Sequence, residues 1–262
     1  MAPETTDRPR LVENPQVFAS SKKPRQNRHN LVDMAYDRCE AMIVACDLKP
    51  GLFLSIQDLQ DATGFGRTPI HQAVSRLAAD TLMIVRPRHG LQIAPVDLAR
   101  ERTLLHLRRD LERFVLRLAA ERCGPSHRNQ FLHISRILSA MLAQPQNAPL
   151  SIAEFNEWDR RIDQLVSAAA GEPFLEQTLR PLHTFFRRLG LIYHTWIAPA
   201  EGLGRTVACH LAMLDAVAAR QPEAAMDAAD QLIAFVDHMF DAMESGVDPG
   251  VLDCNLALKA VI

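Results

Sequence analysis

Much is missing from this 262-residue chain, and each absence removes a class of protein. No apolar run approaches the roughly 20 residues that a membrane-crossing helix needs. The polar first ten residues are followed by no apolar segment, so no signal peptide is expected and a cytoplasmic location is. The cysteines are odd in number and scattered (Cys39, Cys46, Cys123, Cys209, Cys254), with neither CxxC spacing nor the density of a disulfide scaffold. They read as free thiols of a reducing compartment, and the Cys39 and Cys46 pair as small buried apolar residues. A nucleophile elbow, an HExxH pair and a Gly-rich phosphate loop are all absent, which leaves little to support an enzyme. Even net charge is nearly absent, at −2.

That near-neutral total hides a division. Residues 1–96 carry a net +2 and the remainder a net −4. Within 66–93 stand Arg67, Arg76, Arg86 and Arg88 against one acid, Asp80. Phosphate binding responds to such local clustering more than to the chain total.

Residues 1–30 hold prolines and a basic run but few large apolar side chains, so a solvated, disordered tail is expected. Apolar residues then recur at helical spacing from Leu31 to Asp47, and Lys49, Pro50 and Gly51 stop the helix. Ser55, with Asp58 three residues on, reads as the cap of a short second helix that closes at Gly64. A third helix opens on Arg67, Thr68 and Pro69. Alternating segments at 82–86 and 91–94, joined through a Pro/Gly turn, form a basic hairpin with a boundary near Pro95. A helix offering polar residues at its start, beside a basic hairpin, is the pattern of a winged helix-turn-helix that reads duplex DNA.

After Asp97 the chain reads as helical throughout. Helices are expected at 97–122, 126–144, 151–170, 174–196, 203–220 and 223–243, with a Pro/Asn-rich loop at 144–149. Their apolar stripes imply an antiparallel bundle. The expected fold is therefore mainly α: tail 1–30, winged helix-turn-helix 31–96, helical effector-binding and dimerisation domain 97–244, and tail 245–262. The last segment is apolar but without a period, so its docking place is open.

Taken together, Leu48 to Gly51, Leu54, Ser55, Gly64, Arg67 to Pro69, Ala73, Arg76, Leu77, Arg86 to Arg88 and Gly90 resemble the GntR family of bacterial transcription regulators. Leu107, Arg108, Leu111, Glu112, Trp158, Asp159, Gly171 to Leu175 and His210 to Ala216 look like the helical ligand-sensing domain of its FadR-like branch. The resemblance implies a homodimeric regulator, a repressor in the first instance, on a pseudo-palindromic double-stranded operator, answering to a small organic acid. It implies Arg67 as the main base reader and Thr68 on phosphate. Pro69, His71, Arg76, Arg86, Arg88, His89 and Gly90 complete the expected DNA contacts. The family usually has Arg where this chain has His71, so the sequence read is expected to differ. Gly90 is expected to let the backbone approach DNA closely.

Many members of that branch hold a divalent metal with an Asp, a His one turn later and two further His. Here Asp159 and His210 stand in two of those positions, Asp163 replaces the one-turn His, and Leu232 stands at the last. Three readings follow: a weak divalent site on Asp159, Asp163 and His210; a metal-free effector pocket that also draws on Arg108, His183 and Arg187; or acids on an exposed helix edge beside Arg160 and Arg161. Of the adjacent Arg187 and Arg188, one is expected to face the core and one water. An acyl-CoA effector and a metal-dependent helical enzyme are the alternatives to a small-acid sensor.

Overall fold

The computed structural model describes residues 26–143, 150–199 and 203–257. Most of the expected tail and the 144–149 loop lie outside these residues. Residues 26–30 are helical rather than tail, because the first helix, α1, covers Gln26–Val44.

The N-terminal module is built from local signals. At the start of α2 (Ile56–Thr63) the Ser55 hydroxyl accepts from the Asp58 amide at 3.1 Å, and the Asp58 carboxylate accepts from the Ser55 amide at 2.7 Å. This reciprocal pair satisfies two amides that an uncapped first turn leaves free. Gly64 ends α2 in the left-handed region, φ 75°, and turns the chain into α3 (Arg67–Ala79). Ile70, Ala73, Val74 and Leu77 form the buried face of α3. The wing is β2 (Met83–Arg86) paired antiparallel with β3 (Gly90–Ile93), Val85 opposite Leu91. A two-residue strand, β1 (Phe53–Leu54), adds to the far side of β3, too short to leave an alternation in the sequence. It also gives a reason for Gly90: at φ 83°, a Cβ there would sit 2.8 Å from the Leu54 carbonyl oxygen. The neighbouring strand by itself is enough to require a glycine here.

The helical domain comprises α4 (Leu98–Arg122), α5 (Pro125–Ala143), α6 (Ile152–Ala170), α7 (Pro173–Ile192), α8 (Gly204–Ala218) and α9 (Pro222–Gly246). A π-helical turn, Tyr193–Ile197, extends α7. Ser151 with Glu154 caps α6, and Gly171 ends it at φ 65°. Pro173 and Pro222 sit in first turns, where the missing amide costs no hydrogen bond. Helix α4 packs on α6 and α9, and α8 packs on α5 and α9, around one continuous apolar core.

Helix α7 belongs to both parts. Its Phe185 is buried in the core of the N-terminal module, and burying a Phe side chain contributes about 1.5–3 kcal/mol. Thr184 donates to Glu40 of α1 at 2.6 Å, and Arg180 bonds Glu40 at 2.7 Å and Asp37 of α1 at 2.5 Å. Arg188, 0% exposed, donates to the Ala94 carbonyl at 2.8 Å and to Glu101 at 3.1 Å. Burial pushes the Glu101 carboxyl up to about 7, although Arg188 beside it pulls the other way. The expected division of the Arg pair between core and water is thus corrected: both Arg187 and Arg188 are buried.

Part of the 245–262 segment docks on the N-terminal module. Two single-turn helices, α10 (Pro249–Leu252) and α11 (Cys254–Ala257), follow α9. The Val96 amide donates to Leu252 at 2.8 Å, the Cys254 amide to Pro50 at 2.9 Å, and the Asn255 side chain to Gly51 at 2.8 Å. Two main-chain bonds and one from the Asn255 side chain make this attachment, which apolar periodicity does not encode.

Candidate functional sites

The first candidate lies on the surface of the N-terminal module. Arg67, Thr68 and His71 are exposed on α3, opposite its buried face, and Pro69 fits the first turn. The Arg67 Nε donates to the His71 ring at 3.4 Å, a long bond one helical turn apart. Arg88 and His89 stand exposed at the wing tip. Arg86 is held on the wing by Gln92, whose side-chain oxygen accepts from it at 2.9 and 3.1 Å. Arg76 behaves differently. It lies in the last turn of α3, bonds Asp33 at 2.5 Å and stacks on the Tyr36 ring, so it ties α3 to α1 rather than joining Arg67.

The second candidate is a cavity inside the helical domain, bounded by α4, α6, α7, α8 and α9, with a volume of about 40 Å³. Its polar wall is a chain of charges. Arg108 donates to Glu112 at 3.2 Å; Glu112 meets His183 at 2.8 Å; the other His183 nitrogen meets Asp163 at 2.9 Å. Arg187 bridges Asp163 and Asp159, the latter at 2.8 Å, and Asp159 meets His210 at 2.8 Å. His210 closes the chain on the Thr206 carbonyl at 2.7 Å, with Phe155 edge-on to its ring. Asp159 is only 7% exposed, so the exposed-edge reading of these acids does not hold.

Both nitrogens of His183 face carboxylates, and both nitrogens of His210 face acceptors. Two acceptors require two donors, which only the imidazolium form supplies. Burial opposes charge on His183, but Asp163 and Glu112 hold its pKa up at about 9. His210 is likewise lowered by burial and raised more by Asp159. Burial opposes ionisation of Glu112 and Asp159 too. His183 and Arg108 nevertheless hold Glu112 down at about 2, and His210 and Arg187 hold Asp159 far below the usual carboxylate range. Four cations, Arg108, His183, Arg187 and His210, therefore face three carboxylates. The terminal nitrogens of Arg108 and the Nη1 of Arg187 donate to no described residue. Arg108 and Arg187 both line the cavity.

The residues expected to hold a metal are bonded to other side chains. Asp159 spends its oxygens on His210 and Arg187, and Asp163 points to Arg187 and His183. The guanidinium between the two acids occupies the electrostatic place of a cation and repels a second one. Leu232 lines the cavity with no ligating atom, and the described residues contain no group of three His, Cys, Asp or Glu arranged to hold a metal. Glu112 was not among the expected site residues, although its spacing of one turn from Arg108 is the signal that points to it.

A winged helix-turn-helix joined to a helical domain with a charged internal cavity defines a class: transcription regulators that couple a DNA reader to an effector-binding domain. The family comparison narrows it. Residues 31–93 match the bacterial regulatory proteins of the gntR family, and residues 103–235, half of the chain, match the FCD domain. The chain belongs to the GntR family, as a transcription regulator with an FCD domain. It is 24% identical over 78% of its length to the uncharacterized HTH-type transcriptional regulator BphR of Paraburkholderia xenovorans, 82% of which is covered. It is 27% identical over 70% of its length to the HTH-type transcriptional repressor RspR of Escherichia coli, 76% of which is covered. The fold is also that of E. coli McbR/YncC, with a TM-score of 0.69 at 18% identity over 82% of this chain and 99% of that one. Members of this family are regulators rather than enzymes, so the metal-dependent enzyme is set aside; they bind DNA and effector ligands, typically as dimers. Among the described residues no helix is long and apolar enough to cross a membrane.

Proposed function

We propose that the chain is a dimeric repressor that reads a pseudo-palindromic operator through Arg67, Thr68 and the wing, and releases or holds it according to a small organic acid. The carrying observation is the buried cluster with one more cation than carboxylates, and with unpaired guanidinium nitrogens on Arg108 and Arg187. A carboxylate supplies the missing negative charge and accepts from both forks. The repressor sense follows RspR, whose name carries it. A cavity of about 40 Å³ favours a small acid over an acyl-CoA and expands only by local rearrangement.

At the DNA, an Arg fork on the O6 and N7 of guanine discriminates by about 1–3 kcal/mol. His71 accepts from Arg67 and so orients the reader instead of adding a second guanidinium. The test pairs two measurements. An electrophoretic shift with the DNA upstream of the chain's own coding region is expected to give a specific complex that Arg67→Ala removes. Succinate is expected to raise the melting temperature of the wild type and not of Arg108→Gln. No specific complex at moderate salt, or equal succinate response in both proteins, overturns the corresponding half.

A further inference from the structure

Arg187 borders a second space. Between α1 and the α6–α7 pair lies a cleft of about 440 Å³, some tenfold the internal cavity and within the range of small-molecule sites. One wall is α1, where Ala41 and Val44, with Ala45 just beyond, leave room because their side chains are short. The opposite wall is Ala153 and Leu191 of α6 and α7. The floor is Glu40 and Arg187, 3% and 8% exposed. Glu40 is already satisfied by Arg180 and Thr184. Arg187 is satisfied at Nε and Nη2 but not at Nη1 by any described residue. Asp37, Arg38, Asp47, Asn156, Glu157 and Arg160 complete the lining, so the cleft combines an aliphatic strip with polar surroundings and one cation, Arg187, that is more than nine-tenths buried.

We propose that this interdomain cleft is a binding site for an amphipathic monocarboxylate, its head on Arg187 and its apolar body along Ala41, Val44, Ala45 and Leu191. The proposal extends the effector reading from the internal cavity and shares Arg187 with it. Its consequence differs. A ligand confined to the internal cavity touches the helical domain alone, whereas a ligand in the cleft touches α1 of the DNA-reading module as well. Its binding free energy therefore depends directly on how the two parts are set, and a ligand shifts an equilibrium only through such a difference.

The apolar chain is favoured over a second charged end by what the walls offer. Asp37 and Glu40 both bond Arg180, and Arg160 pairs with Glu157 at 3.5 Å. Ala41, Val44, Ala45, Ala153 and Leu191 offer aliphatic contacts for the body of such a ligand, while Arg38, Asp47 and Asn156 keep the rest of the lining polar.

Octanoate is the probe, titrated calorimetrically into the full chain beside succinate. Ala41→Trp and Ala153→Trp fill the cleft from opposite walls at exposed helix positions, and circular dichroism checks that each folds. Octanoate is expected to bind the wild type and to lose at least tenfold in affinity in both variants, while succinate binding stays the same. Octanoate binding that survives both substitutions, or no octanoate binding to the wild type, overturns the cleft proposal. Neither result touches the small-acid reading, which stands or falls on the succinate response of Arg108→Gln.

Discussion

The two halves of this regulator handle charge in opposite ways. In the N-terminal module the cations expected at DNA, Arg67, Arg86 and Arg88, stand exposed around an apolar core. In the helical domain Arg108, His183, Arg187 and His210 are buried with Glu112 and Asp159. Exposed cations are screened within about 8–10 Å at ordinary salt and remain free to meet phosphate. Buried ones are fixed by partners, and each substitution leaves an opposite charge stranded. One half is built to be neutralised from outside; the other has nearly neutralised itself and lacks one negative charge.

Arg187→Leu breaks this contrast most severely. It leaves Asp159 and Asp163 without their shared guanidinium, and removing one partner of a buried pair costs about 3–5 kcal/mol. Denaturant unfolding is expected to show a loss of that order; a change below about 1 kcal/mol, the usual worth of an exposed pair, sinks the buried-network account. A pH series sharpens the same point. The raised pKa of His183 means that its contribution is complete below the ordinary 6.5 and is lost as pH rises through about 9. Melting temperature is expected to fall between pH 7 and 10, and His183→Gln to flatten that decline. A wild-type curve as flat as that of the variant contradicts the imidazolium assignment.

At the DNA end the effects are smaller in free energy and leave the fold alone. Arg67→Ala is expected to weaken specific operator binding by about 1–3 kcal/mol with unchanged melting temperature. Arg76→Ala is expected to do the reverse, lowering stability through Asp33 and Tyr36 with less effect on base discrimination. Equal losses of operator binding from the two would erase the distinction drawn between them. Ser55→Ala comes last, at about 1 kcal/mol from the lost cap, read by thermal unfolding.

Legibility followed the range of the interactions. The cap of α2, the Gly64 turn and the exposed face of α3 depend on residues a few positions apart, and each is written in that spacing. The charged cavity is not. His183 meets Glu112 across 71 residues, and Arg187 meets Asp159 across 28. The residue types were visible: Asp159, His183, Arg187, Arg108 and His210 line one cavity, and Asp163 bonds His183 and Arg187 beside it. What they do to one another was not, since a carboxylate reads the same whether it awaits a metal or a guanidinium. The two-residue β1 and the docking of α10 and α11 were hidden for another reason: both rest largely on main-chain hydrogen bonds, to which side-chain pattern is blind.

That last attachment has a mechanical meaning. The covalent linker near Pro95 already joins the DNA reader to α4; the segment after α9 grips it again at Pro50, Gly51 and Val96. Besides the α7 contacts, the reader is therefore held like a hinge leaf by two straps, one leading from each end of the sensor's own helices. Any swing of the reader must stretch the second strap, detach it or drag the end of α9 along, and α9 carries four residues that line the cavity. Cutting the chain after Gly246 leaves Arg67, Thr68 and the wing in place and removes the strap together with the packing of Val247, Val251 and Leu252 on the helical core, so operator affinity in that shortened protein is expected to change.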